Sequence, residues 1–156
     1  MSAFLFEDTF RVKELDMVET SGKAGETEKV RAKMFDKVSR MMATSESYDT
    51  EVTLDVNTEI YPVREGDKLK FVLTHTLDET GVEENDNAVS FASSSLLAQY
   101  EYAAHGKVFK YAEERGKAVV YVSFGGLLMA LRGEPRTLRS QVFEVERRLF
   151  LLMRKV

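Results

Sequence analysis

The chain of 156 residues has no cysteine and no tryptophan, two histidines and two prolines. Without thiols it can form neither disulfides nor a thiolate zinc site, and His75 and His105 alone give a histidine metal site little to draw on. The expectation is a protein with no metal and no cofactor. No basic stretch followed by a long apolar core opens the sequence, and no apolar run approaches the ~20 residues a helix needs to span a bilayer. A soluble, intracellular protein without membrane contact is therefore expected. The formal charge of −4 argues against a free-standing binder of duplex DNA, because neutralising phosphates requires a positive field over the docking face. Catalytic signatures are missing as well. There is no Gly-x-Ser-x-Gly elbow, neither histidine sits in a nucleophile arrangement, and Gly125-Gly126 lacks the downstream Lys-Ser/Thr of a phosphate-cradling loop. No catalytic residue is assigned.

What is present is apolar and alternating. A hydrophobic content of 44% suffices for one core, so the reading is a single domain over residues 1–156. In Tyr121-Val-Ser-Phe-Gly-Gly-Leu-Leu-Met-Ala-Leu-Arg-Gly133 and the two valines before it, Val120, Val122 and Phe124 share one face of a strand, and Val119, Tyr121 and Ser123 share the other. Leu127, Met129 and Leu131 resume the alternation beyond Gly125-Gly126, and the run reads as a strand bent sharply at a barrel corner. Val52, Leu54, Val56, Thr58 and Ile60 alternate with Glu51, Thr53, Asp55, Asn57 and Glu59, a half-buried strand with one wet face. Glu65-Gly66-Asp67 reads as the turn into a partner strand holding Phe71 and Leu73, so residues 51 to 76 are expected to form a hairpin. A second hairpin is expected from Lys107 through Arg115-Gly116 to Phe124, with further strands near residues 4–13, 35–44, 127–132 and 142–154. Many short strands and no long amphipathic helix indicate an all-β fold, a closed or nearly closed antiparallel barrel or sandwich. Leucine, methionine and phenylalanine at the inward positions look able to fill a small barrel, which counts against a small-molecule cavity.

Two segments break this pattern. Glu19 to Lys33, with Gly22 and Gly25, reads as a loop with at most one or two helical turns. Asp78, Glu79, Glu83, Glu84 and Asp86 crowd one stretch without a cation, and the segment 78–95 reads as a solvated loop. It lacks the ligand spacing of an EF-hand.

Two basic stretches are candidate contact sites. Lys29, Arg31, Lys33, Lys37 and Arg40 surround Phe35, opposed within that span by Asp36 alone. Such a set is either a basic groove with a stacking platform for weak, sequence-independent binding of single-stranded nucleic acid, or a solvated edge around a core phenylalanine. Residues 132 to 156 hold seven cations against three carboxylates, which suits an acidic partner surface as well as nucleic acid.

Several blocks resemble, in order, those of a known family. Leu5-Phe-Glu-Asp-Thr-Phe-Arg-Val12, Phe35-Asp-Lys-Val-Ser-Arg40, Leu54-Asp-Val-Asn-Thr-Glu-Ile-Tyr-Pro-Val63 with Gly66-Asp67, Tyr100-Glu-Tyr102 with His105-Gly-Lys-Val-Phe-Lys110, the Tyr121–Gly133 run and Leu151-Leu-Met-Arg-Lys155 resemble the small common subunit, subunit eight, of the eukaryotic nuclear RNA polymerases. The connection from Met17 to Met34 is longer than the family's usual one, and Ala103-Ala104 replaces larger apolar residues. The resemblance implies an eight-stranded antiparallel barrel related to the oligonucleotide-binding (OB) fold, with long loops at about 17–34 and 78–95. It further implies a non-catalytic subunit shared by RNA polymerases I, II and III, a monomer within the complex. The largest subunit and other core subunits would be its partners, in the nucleus including the nucleolus. Gly125, Gly126, Leu128 and Arg132 are the candidate docking residues. The alternative from another class is an autonomous single-stranded nucleic-acid-binding barrel using the 29–40 patch.

Overall fold

The computed structural model describes residues 4–21, 27–31, 36–47, 49–77 and 96–156. Its strands are β1 (Phe4–Leu15), β2 (Met17–Ser21), β3 (Thr27–Arg31), β4 (Val38–Ser45), β5 (Glu51–Asn57), β6 (Lys68–Thr74), β7 (Tyr102–Glu114), β8 (Lys117–Phe124), β9 (Leu127–Gly133) and β10 (Arg148–Lys155). Among the described residues the one helical element is a single 3-10 turn, Leu97–Gln99. Eight strands close into an antiparallel barrel in the order β1-β4-β5-β9-β8-β7-β10-β6, while β2 and β3 pair with each other.

Period-2 alternation sorts the side chains between the two faces. Phe6, Phe10, Met41, Leu54, Leu69, Phe71, Val120, Met129, Leu131 and Leu151 are among those that fill the interior, and all are buried. Phe10 and Phe71 meet edge to face with ring centroids 5.1 Å apart. Full burial of each such side chain contributes about 1.5–3 kcal/mol. On the outside of β6 and β10 a smaller cluster, Val72, Leu77, Leu96, Phe150 and Leu152, is likewise sealed from water. β10 is thus covered on both faces, which accounts for the unbroken apolar run Leu149-Phe-Leu-Leu-Met153.

Three expectations need correction. Residues 51 to 76 do not form a hairpin: β5 pairs with β4 and β9, and β6 pairs with β1 and β10. The turn at Gly66 is real, with φ of 93°, but it joins the chain to β1: Val12 N–H donates to the Asp67 carbonyl and Gly66 N–H to the Val12 carbonyl, both at 2.8 Å. Segment 58–67 therefore crosses one end of the barrel, with Tyr61 and Val63 buried under it.

The segment Glu19 to Lys33 is expected to be a loop with at most one or two helical turns, but its described residues are strand. Met17–Ser21 and Thr27–Arg31 form the β2–β3 ladder, in which Glu19 is paired in register with Lys29 and Val18 with Val30. The β-branched Val18, Thr20, Thr27 and Val30 favour that choice. The acidic segment 78–95 lies outside the described residues.

Gly125-Gly126 is not a bent strand. It is a two-residue hairpin turn, with Phe124 paired to Leu127 and φ of 64° and 103°. Positive φ at both central residues is the geometry that matches the twist of the flanking strands. Space is not the constraint, since a Cβ at either position would meet nothing within 4 Å. The left-handed value at Gly125 is one that asparagine tolerates, whereas Gly126 lies where side chains are strained. Gly126→Val is expected to lose about 1–3 kcal/mol, while Gly125→Asn should melt close to the parent. Thermal unfolding of the two variants side by side checks this, and equal melting temperatures would contradict it.

Candidate docking face

The closed barrel itself has no free strand edge, so contacts on its wall are made by outward side chains. Five adjacent strands, β4, β5, β9, β8 and β7, present theirs in rows set by the register. One row runs Arg40, Asp55, Leu128, Ser123 and Lys107, and the next runs Met42, Thr53, Ala130, Tyr121 and Lys110.

Asp55 holds the first row together. The β5–β9 ladder ends at Leu54 and Met129. The Leu128 N–H, one residue on, donates to Asp55 Oδ2 at 3.0 Å. Arg40 Nε and Nη2 donate to Oδ1 and Oδ2 at 2.8 and 3.2 Å. The carboxylate is sunk between the strands, its side chain 11% exposed, whereas the Arg40 side chain is 59% exposed. What this ion pair shows to solvent is its cation.

The second row is apolar and uneven in height. A bulge in β7 between Val108 and Lys110 turns Phe109 outward, where its ring lies 6.0 Å from that of Tyr121. Phe109 and Leu128 are 46% and 42% exposed, and both border the same groove. Between these large side chains the short Thr53 and Ala130 leave a shallow groove of about 170 Å³, bordered by Arg40 at one end. Lys110 Nζ stands 5.2 Å from the centroid of the Tyr121 ring at the other.

The four docking candidates lie together on one hairpin. Gly125 and Gly126 form its exposed tip, Leu128 is on the face, and Arg132 continues the outward side of β9 opposite Glu51 on β5 and Val119 on β8. The nucleic-acid candidates are more scattered. Lys29 and Arg31 are on β3, while Lys33 and Phe35 lie outside the described residues. Lys37 is 3.7 Å from Glu59, and Arg40 is committed to Asp55. Phe109, Tyr121 and Asp55 were not singled out as site residues. For Asp55 the only signal is its place in an alternating wet face, and a β-bulge has no local mark around Phe109.

The basic C-terminal strand also serves the fold. Glu101 Oε1 accepts the Lys155 N–H and the Tyr61 O–H, each at 2.7 Å, and Lys155 Nζ donates to the Pro62 carbonyl at 2.7 Å. The Lys155 amide first, and then the Tyr61 hydroxyl, hold the Glu101 carboxyl below its ordinary 4.5. Burial, reinforced by Glu101, pushes the Tyr61 phenol well up. A depressed folded pKa means stabilisation that is present above about pH 4.5 and lost as pH falls through the lower folded value. The stability advantage of the parent over Glu101→Gln should therefore be larger at pH 7 than at pH 3. Urea unfolding at the two pH values measures it, and an advantage undiminished in acid would exclude the carboxylate as its source.

The sequence profile of the family described as RNA polymerase Rpb8 matches residues 7–155. The chain is 41% identical over 155 residues to "DNA-directed RNA polymerases II, IV and V subunit 8B" of Arabidopsis thaliana, covering 97% of this chain and 96% of that protein. It is 38% identical over 157 residues to "DNA-directed RNA polymerases I, II, and III subunit rpabc3" of Dictyostelium discoideum, covering 99% of both. With the subunit RPABC3 of Saccharomyces cerevisiae it shares 32% over 149 residues, 90% of this chain and 92% of that one. The closed eight-stranded barrel, the ordered sequence blocks and the match from residue 7 to residue 155 lead to one assignment: the chain belongs to the RNA polymerase Rpb8 family.

Proposed function

We propose that this chain is a non-catalytic subunit of the nuclear DNA-directed RNA polymerases I, II and III. In this reading it docks on the periphery of the largest subunit, supports assembly and transcription, and resides in the nucleus including the nucleolus. Nucleotidyl transfer belongs to the large subunits. The observation that carries the reading is likeness over nearly the full length of both chains to relatives named as subunits shared between polymerases. The fold agrees with it: the barrel interior is occupied by side chains, which leaves the outer faces to meet a partner. Gly125, Gly126, Leu128 and Arg132 belong to the face assigned to docking.

The alternative, an autonomous barrel for single-stranded nucleic acid, finds less support, because Lys37 stands beside the Glu59 carboxylate and Lys29 and Arg31 lie on β3 rather than on the strand of Arg40. Capture of the tagged chain from cells tests the two readings together. Docking predicts that the large polymerase subunits come with it and stay through nuclease treatment. Recovery of nucleic acid without polymerase would favour the alternative, and its affinity should then fall steeply with salt.

A further inference from the structure

We infer that the groove between Phe109, Tyr121 and Leu128 receives an extended acidic segment of a large polymerase subunit, with one apolar side chain anchored over Ala130 and carboxylates at both ends. This rests on the docking reading above and adds the chemistry of what is bound.

Three observations carry it. The groove is apolar at its centre and small, about 170 Å³, which suits one anchoring side chain and not a folded surface. Its floor is made of short residues, Thr53 and Ala130, between the exposed Phe109, the half-buried Tyr121 ring and the exposed Leu128. Its rim is cationic in a chain whose formal charge is −4. The rows of this face carry Arg40, Lys107, Lys110 and Arg132 against Asp55 and Glu51. Asp55 is turned inward on Arg40 and the Leu128 amide, and Lys107 is bridged to Glu146 at 3.0 Å. Glu51 stands in register with Arg132. What remains toward solvent is a guanidinium at one end of the groove and an ammonium at the other.

Charge of one sign at both ends of an apolar slot selects against a basic or uniformly polar strand more strongly than it adds affinity. Asp55 is a positioning residue here. By binding the Leu128 amide it sets where the Leu128 side chain projects, and by holding two guanidinium nitrogens it fixes the direction of the Arg40 charge. It touches no partner itself.

The test uses the tagged full-length chain in cells, with p-benzoylphenylalanine placed at Phe109 for photo-cross-linking in the assembled complex, and with Ile60, exposed in the crossing segment, as the control position. The expected product is a peptide of a large subunit in which an apolar residue has at least two carboxylates close by in sequence. A cross-link to a basic segment or to nucleic acid, or none at Phe109 from a complex that has assembled, would overturn the inference. The charge arm is Lys110→Gln and Lys110→Glu, expected to lower polymerase recovery in that order and the second by roughly tenfold, with the melting temperature unchanged. If both variants assemble as the parent does, the groove chemistry is wrong while docking stands. If the parent brings down no polymerase, the docking reading falls and takes this inference with it.

Discussion

Gly106→Val is expected to be the most damaging single change in the barrel. Gly106 is buried on β7 and paired with Leu149, at the point where β7 runs closest to the end of β8. A Cβ there would lie 2.4 Å from the Ser123 carbonyl oxygen and 2.6 Å from the Phe124 ring. A flexible side-chain tip can move away, but the carbonyl belongs to a strand held on both sides by β7 and β9. Overpacking of this kind typically costs about 1–3 kcal/mol for a small increment, and a β-branched side chain adds more than one. Against a total stability of about 5–15 kcal/mol, Gly106→Ala should lower the melting temperature by roughly 2–12 °C and Gly106→Val should leave little folded protein. Scanning calorimetry of the alanine variant decides it. An unchanged transition would mean that β7 and β8 are farther apart than described.

Leu128→Glu should have the opposite profile, a large loss of association with little loss of fold. The side chain is 42% exposed, while the amide of the same residue is held by Asp55. Changing the side chain therefore leaves the backbone of the β8–β9 hairpin in place, and surface changes of this sort usually stay within about 0.5 kcal/mol of the parent. At the centre of a docking face an apolar anchor is commonly worth 2 kcal/mol or more, which corresponds to a loss of about 30-fold or greater in affinity. Against the acidic segment inferred above, a carboxylate at this position would add repulsion. The paired measurement is polymerase recovery and melting temperature. Full recovery would remove Leu128 from the interface, and a collapsed melting temperature would mark it as a residue of the fold instead.

The barrel was legible because its information is local. Inward and outward positions alternate in β5, β8 and β9, the Arg115-Gly116 turn separates β7 from β8 with φ of 52° and 80°, and those strands are neighbours in the sheet. Where the reading failed, the deciding contact is distant in sequence. Glu65-Gly66-Asp67 carries a true turn signal, yet the strand that follows it pairs with β1, Lys68 opposite Arg11, more than fifty positions earlier. For Gly125-Gly126, both a bend and a reversal agree with the glycines, and only the pairing of Ser123 with Leu128 separates them. The candidate docking face follows the same rule. Leu128 and Arg132 could be placed on one side of a strand by counting, but the groove beside them depends on a bulge that exposes Phe109 and on a carboxylate neutralised across three strands. Asp55 reads as one more wet residue until Arg40 and the Leu128 amide are seen to occupy it.

The central claim is that this chain is a polymerase subunit and acts by being held in the enzyme. Its most direct test is to separate the nuclear RNA polymerases I, II and III from cells that carry the chain and to measure the molar ratio of this chain to the largest subunit in each. The account predicts a ratio close to one in all three, maintained when each enzyme is rechromatographed. Absence of the chain from every active polymerase fraction would contradict it.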